Sequence, residues 1–241
     1  MELLPLPYEH GGVTLTGYLA DGSGGRPSPA ILVAHEGGGL GRHTKERALR
    51  LAQLGAVAFA LDMYGEEDPG LERAKALGKA LRNDLPSLRG RVSAAFDILR
   101  AHPNADGSRL AAIGFCMGGA AMIELARTGA PLACLVGFHS GFLPGTVEEN
   151  RAIRARILLC HGDSDPVVTA EHRDSFLGEM REAGVDWQLH LYGGVGHSFT
   201  NPDIDKWNLP GFAYDSRTDA RSWRAMLDFF AETFGTGLDA E

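Results

Sequence analysis

The stretch Leu110-Ala111-Ala112-Ile113-Gly114-Phe115-Cys116-Met117-Gly118-Gly119-Ala120-Ala121-Met122-Ile123 decides how the whole chain is read. A short apolar run ends at Gly114, a helical apolar pattern begins at Met117, and a cysteine stands at the junction. Short apolar runs closed by glycine are the mark of central strands covered on both faces. Glycine, any residue, nucleophile, any residue, glycine is the spacing of a sharp strand-to-helix turn that lifts its middle side chain above the sheet. Side chains two positions before and after that turn would collide with the neighbouring strand and helix, which is the steric reason for glycine at 114 and 118. The helix starting at Met117 also points its positive end at the sulfur, an environment in which cysteines become reactive. Cys116 is therefore the candidate nucleophile. The bland alternative is a small buried hydrophobe in a glycine-rich turn.

Outward from this turn the same alternation recurs. Ala30-Ile31-Leu32-Val33-Ala34 is another short apolar run closed by glycines, and further strands are expected at 56–61, 132–138, 157–160 and 187–191. Helical patterns separate them at 42–54, 71–100, from Cys116 to about 128, at 170–183 and at about 218–234. Val13, Leu15 and Tyr18-Leu19 alternate beside Gly11-Gly12 and read as a small antiparallel pair ahead of the main sheet. Strands alternating with helices predict an α/β fold with a mainly parallel central sheet and helices on both faces. The length of 241 residues, without repeats or low-complexity tracts, predicts one domain over 1–241.

Composition narrows the function classes. A net charge of -8 argues against a general nucleic-acid binder, which needs a basic face to displace counterions from phosphates. No apolar run is long enough to span a membrane. Met1-Glu2-Leu3-Leu4-Pro5 lacks the charged and apolar regions of a secretory signal, so a cytoplasmic location is expected. Cys116, Cys134 and Cys160 form no paired framework, which fits a reducing compartment; Cys134 and Cys160 lie in apolar strands and read as inert core thiols. No ligand cluster has metal spacing, so neither a metal nor an organic cofactor is expected.

A cysteine nucleophile needs a base and a group to orient it, and the order nucleophile, acid, histidine is present along the chain. Leu158-Leu159-Cys160-His161-Gly162-Asp163-Ser164-Asp165-Pro166 is a strand running into a turn with two acids. Asp165 is chosen because it stands third after Gly162 with Pro166 fixing the turn behind it, and Asp163 is expected to bind its own turn's backbone. Gly193-Gly194-Val195-Gly196-His197-Ser198-Phe199 follows the next strand, and its glycines let a loop bring His197 to the nucleophile. His35, His139 and His161 also sit near strand ends and are read as structural, while His10, His43, His102, His172 and His190 have no catalytic context.

With these pieces in place the chain resembles the dienelactone hydrolase family, which keeps a cysteine at the elbow of an α/β-hydrolase fold. The resemblance runs from Val33-Ala34-His35-Glu36-Gly37 through Leu61-Asp62-Met63-Tyr64-Gly65 and the cysteine turn to Gly196-His197-Ser198-Phe199. It implies hydrolysis of a small ester or lactone through a Cys-His-Asp triad and an acyl-thioester. It further implies that Glu36 holds the resting thiol and helps to make the thiolate once substrate arrives. A carboxylate beside a thiol fits that role, since it protects the sulfur from idle oxidation. The alternative for Glu36 is a cap or an ion pair with Arg42 or Arg47. Backbone amides of Gly37 and Met117 take the oxyanion-hole positions. Tyr64 and Phe199 stand as candidate pocket residues, and a monomer or small homo-oligomer is expected.

One departure from the family pattern bears on substrate. Family members proper hold a substrate carboxylate with arginines, one of them shortly after the catalytic histidine; here Ser198-Phe199-Thr200-Asn201-Pro202 follow it. Arg42, Arg73 and Arg82 are read as solvated surface groups. The aromatic segment 201–216 could wall the pocket, cover a subunit contact or simply pack. Two rival readings remain open: a non-catalytic relative that binds a ligand, and a thiol redox protein cycling Cys116 through sulfenic acid.

Overall fold

The computed structural model describes residues 1–238. Along the chain run β1 (Leu4–His10), β2 (Val13–Asp21), β3 (Ser28–Ala34), α1 (Arg42–Gln53), β4 (Val57–Leu61), α2 (Leu71–Arg82), α3 (Leu85–Arg100), β5 (Ala105–Phe115) and α4 (Met117–Arg127). Then follow β6 (Cys134–Phe138), α5 (Val147–Arg151), β7 (Arg156–Gly162), α6 (Ala170–Ala183), β8 (Trp187–Tyr192) and α7 (Ser216–Phe234). The strands form one eight-stranded sheet in the order β1-β2-β4-β3-β5-β6-β7-β8. β1 and β2 pair antiparallel, as does β2 with β4, and every pairing from β4 through β3 to β8 is parallel. This is the α/β-hydrolase fold.

The sheet is covered on both faces, and the period of two along each strand divides the core. Ala30, Leu32 and Ala34 of β3 face one cluster, packed under α2, α3, α4 and α6 through Leu81, Val92, Phe96, Met122 and Phe176. Ile31 and Val33 face the other, packed under α1 and α7 through Leu51, Trp223, Met226 and Phe230. Because both sets are fully buried, β3 reads as a continuous apolar run. No helix among the described residues is long and apolar enough to cross a membrane.

Two local features differ from the sequence reading. The helical pattern over 71–100 is two helices, broken at Asn83-Asp84: the Asp84 side chain accepts from the amide of Ser87 at 3.1 Å and starts α3, with Pro86 in the first turn. The short helix α5 was not expected. It is started by a capping box in which Thr146 Oγ1 accepts from Glu149 N and Glu149 accepts from Thr146 N.

The parallel strands decide where the chemistry gathers. Glu36, Cys116, His139, Asp165 and His197 all follow the carboxyl ends of β3, β5, β6, β7 and β8. Strands that run the same way bring those ends to one rim, where ligands bind in open α/β sheets.

Candidate active site

Cys116 sits at φ 52° and ψ -114°, a conformation that side-chain-bearing residues rarely adopt. Its backbone is fixed on both sides: its N–H donates to Phe138 O at 3.0 Å, and its carbonyl accepts from Gly141 N at 3.0 Å and Gly119 N at 3.1 Å. The glycines around it are required by close approach. A Cβ at Gly114 would lie 2.3 Å from the Gly118 carbonyl, and one at Gly118 would lie 2.4 Å from Ala34 O on β3. These backbone atoms leave no room for a methyl group, so the elbow strain is held by surrounding structure.

The sulfur lies 3.0 Å from His197 Nε2, and His197 Nδ1 lies 2.6 Å from Asp165 Oδ2. The second oxygen of Asp165 accepts from the amides of Val167 at 2.7 Å and Val168 at 3.0 Å, which fixes the carboxylate plane. His197 is itself held by backbone bonds to Gly211 and Ala213, and a Cβ at Gly196 would meet Gly211 O at 2.3 Å. Burial works against a charged imidazole, but the facing Cys116 sulfur and the Asp165 carboxylate outweigh it and raise His197 to about 10. Burial also disfavours ionised Asp165, yet the hydrogen bond from His197 and the two amides keep it below the usual carboxylate range.

Asp163 differs from expectation. Its half-exposed carboxylate lies 3.9 Å from Arg173 and accepts no turn amide among the described residues. The amides of that turn are taken by Asp165, which performs both the turn bond and the contact to His197.

Glu36 is not on the sulfur. Its Oε2 accepts from Asn201 Nδ2 at 2.9 Å, while Oε1 is buried without a hydrogen-bond partner among the described residues. Burial raises its carboxyl toward the neutral form, against the lowering effects of Asn201, His197 and Arg47. Neither arginine considered for it pairs with it: Arg42 binds Asp203 at 2.7 Å, and Arg47 binds Asp219 at 2.8 Å.

Among the described residues, the N–H groups of Gly37 and Met117 have no intramolecular acceptor, and both residues border the space around Cys116. The Gly37 N–H shares a peptide with the Glu36 carbonyl, which accepts from His35 Nδ1 at 2.6 Å; His35 Nε2 in turn accepts from Met63 N at 3.1 Å. A trans peptide holds its N–H opposite its C=O, so His35 aims the Gly37 donor. Tyr64 lies underneath. Its hydroxyl donates to Gly37 O at 2.9 Å, and at 3% exposure it supports the loop from below and does not line the cavity. Phe199 is fully buried against His139 and Tyr192 in the second core cluster, because the chain after His197 turns inward, so it is a core residue and not a pocket one.

Two lobes meet at Cys116. The larger, about 540 Å³, has an apolar wall of Phe142, Leu143, Pro144, Val168 and Phe176, with His172, Ser175 and Glu179 along one side. The smaller, about 270 Å³, is roofed by Leu71, Ile204, Trp207, Leu209 and Phe212. Segment 201–216 therefore walls the site. Arg82 borders both lobes, with Met117 Sδ at 3.7 Å as its hydrogen-bond acceptor. Arg82, read from the sequence as a solvated surface group, borders the cavity instead, and His172, an exposed helix residue, carried no sequence signal for it. Among the described residues, no cluster could hold a metal ion.

The buried imidazoles make stability depend on pH. Burial lowers His43 to about 3 and His161 to about 4, and also lowers His35 and His139. An unfolded chain binds protons at these histidines once the pH falls below about 6.5, whereas the folded chain refuses them. Stability therefore falls as the pH drops through that window, by roughly 1 kcal/mol per pH unit for each histidine. His197 acts in the opposite direction: its folded value is raised to about 10, so its contribution is complete below the ordinary histidine value and is lost as the pH rises through about 10. The expected result is a stability maximum near pH ~7, with Tm at pH ~5 lower by about 5 °C or more. Thermal melts across that range check this, and an unchanged Tm would contradict it.

A profile of the dienelactone hydrolase family matches residues 15–234. The chain belongs to the dienelactone hydrolase family. Within it, the chain is 32% identical over 183 residues to a carboxymethylenebutenolidase from Pseudomonas sp., covering 71% of this chain and 74% of that one. It is 30% identical, over 71% of this chain and 73% of that one, to a Bradyrhizobium sp protein named "Probable 2-oxo-3-(5-oxofuran-2-ylidene)propanoate lactonase". The crystal structure of a dienelactone hydrolase-like promiscuous phosphotriesterase from metagenomic libraries superposes with a TM-score of 0.92 at 40% identity, covering 96% of this chain and 98% of that chain. Membership makes this chain a hydrolase of the ester and lactone class.

Proposed function

We propose that this hydrolase cleaves small carboxylic esters and lactones by acyl transfer through Cys116. The observation that carries the reading is the continuous chain from sulfur to imidazole to carboxylate at 3.0 and 2.6 Å. Cys116 attacks the carbonyl carbon, and the amides of Gly37 and Met117 receive the oxyanion. The imidazolium of His197 gives its proton to the departing alcohol, which leaves an acyl-thioester. His197 then takes a proton from water as the water attacks the thioester, and the acid departs with the sulfur restored. Asp165 holds the tautomer and orientation of the ring throughout. Two relatives named for a butenolide and a furanone-type lactone favour lactone substrates.

Redox cycling with another cysteine of the chain has little support. Cys134 and Cys160 are fully buried, and burial pushes both up to about 12, so neither can serve as a resolving thiolate. Arg82 bears on substrate charge. A guanidinium without a carboxylate partner among the described residues, at the junction of both lobes, favours a substrate carrying a carboxylate.

Turnover of p-nitrophenyl acetate and of neutral and carboxylated lactones tests the reading. Wild type should hydrolyse them in an iodoacetamide-sensitive way, and binding without turnover would sink the proposal. Arg82→Ala should raise KM for the carboxylated lactone by about tenfold while leaving the neutral one within about twofold. An equal effect on both would remove the anion-binding role of Arg82.

A further inference from the structure

Glu36 stands in a wall between two cavities. On one side is the smaller catalytic lobe with Cys116. On the other is a cavity of about 580 Å³ bordered by His43, Arg42, Lys45, Asn201 and Asp203, which opens at the start of α1. Within the wall, Glu36 Oε1 and His43 Nδ1 are both buried, both lack a hydrogen-bond partner among the described residues, and lie 4.0 Å apart. His43 is only 8% exposed and packs edge-on against Phe115, the residue before the nucleophile, at 4.6 Å between ring centres.

The tautomer of His43 follows from its other neighbour. Arg47 Nε donates to His43 Nε2 at 3.3 Å, and a guanidinium can only donate. His43 Nε2 is therefore the acceptor, and the single proton of the neutral ring sits on Nδ1, facing Glu36. Burial and the charge of Arg47 hold this ring neutral. A buried N–H aimed at a buried carboxyl oxygen, each without another partner, has an incentive to close the gap once that oxygen carries charge.

Ester hydrolysis supplies the occasion. The overall change is ester plus water to carboxylate, alcohol and one proton, and that proton has to leave the lobe in which it forms. We propose that His43 is a positioning residue for Glu36: its Nδ1–H catches the ionised carboxylate and holds it ready to take up the turnover proton from the catalytic lobe and release it into the outer cavity. In each cycle one carboxylate O–H bond forms with the departing proton and then breaks toward solvent, so no oxidant or co-reactant is needed. The inference rests on the proposed hydrolysis at Cys116.

Other groups facing Glu36 set the background for this device. His139 Nε2 lies 3.7 Å from Oε1 but is engaged with Thr200 Oγ1 at 2.9 Å. Asn201 holds Oε2, His197 and Arg47 act on the carboxyl through their charge, and Arg42 and Asp203 act on His43 with opposite signs. The Thr200 carbonyl also acts on His43 as an acceptor and favours its charged form. Of the groups facing Glu36 Oε1, His43 Nδ1 is the ring nitrogen without a hydrogen-bond partner among the described residues, 4.0 Å away.

The test uses two amides that differ only in where they place their donor. His43→Asn puts an N–H where Nδ1 was, whereas His43→Gln puts its amide toward Arg47, where Nε2 was. With p-nitrophenyl acetate, His43→Gln should lower kcat/KM about tenfold near pH 6 and leave the rate near pH 9 unchanged, because losing the donor favours protonated Glu36. His43→Asn should restore the wild-type profile to within about twofold. In a Glu36→Gln background, His43→Gln should have no further effect on the profile. Equal profiles for both single variants, or a full effect of His43→Gln without the Glu36 carboxylate, overturn the inference. If wild type itself fails to hydrolyse esters, the proposed function fails first; wild-type turnover with unaltered variant profiles removes only the role of His43.

Discussion

Replacing Cys116 by alanine should reduce ester hydrolysis to background, a fall of about 10⁴-fold or more, because the Cys116 sulfur is the group at 3.0 Å from His197 Nε2, and the lining hydroxyls of Ser175 and Ser198 make no hydrogen bond to that imidazole among the described residues. Stability should change little. The side chain is half-buried, and alanine fits every position the cysteine carbons occupy at the elbow. The elbow backbone is held by Phe138 O, Gly119 N and Gly141 N, none of which involves the sulfur. A second readout follows from electrostatics: the sulfur is the largest influence raising His197, so the alanine variant should release the His197 proton at lower pH than wild type. Kinetics on a chromogenic ester, together with an NMR titration of the imidazole, check both parts. Retention of more than about a tenth of the wild-type rate by Cys116→Ala would remove this residue as nucleophile.

Asp165→Asn should cost about 10³- to 10⁴-fold in kcat, and Asp163→Asn less than about twofold. The reason is hydrogen-bond inventory. Asp165 accepts on both oxygens, from two backbone amides on one side and from His197 Nδ1 on the other. An asparagine has one accepting oxygen, so it either abandons the amides or turns its NH2 group on His197 and forces the wrong tautomer. Asp163 has only a long contact to Arg173 in a half-exposed setting, where such pairs contribute little. Steady-state kinetics of the two variants decide the matter, and the opposite ranking would make Asp163 the orienting acid.

The amino-acid order alone determined the alternation of strands and helices, the mainly parallel sheet, and the sharp turn at Cys116. Each rests on local rules: a period of two or 3.6, and a steric limit that only glycine meets. The convergence of Cys116, Asp165 and His197 was legible for a related reason, since parallel strands deliver the loops that follow them to one rim whatever the packing between. The hinge at Asn83-Asp84 was written in the sequence as Asp84, Pro86 and Ser87 but was hidden by an apolar pattern that continues through it.

Only the tertiary structure decided who faces whom across long stretches of chain. Glu36 meets Asn201 and not the sulfur, Phe199 turns into the core, and Arg82 and His172 reach the cavity from the exposed sides of α2 and α6. Which of two neighbouring aspartates takes the turn amides depends on a loop geometry that no spacing encodes. The physical reason is common to all of them: periodicity sets which face a residue occupies, but partners from separate elements are chosen by how helices and loops pack over the sheet, and that choice is made by the whole core at once.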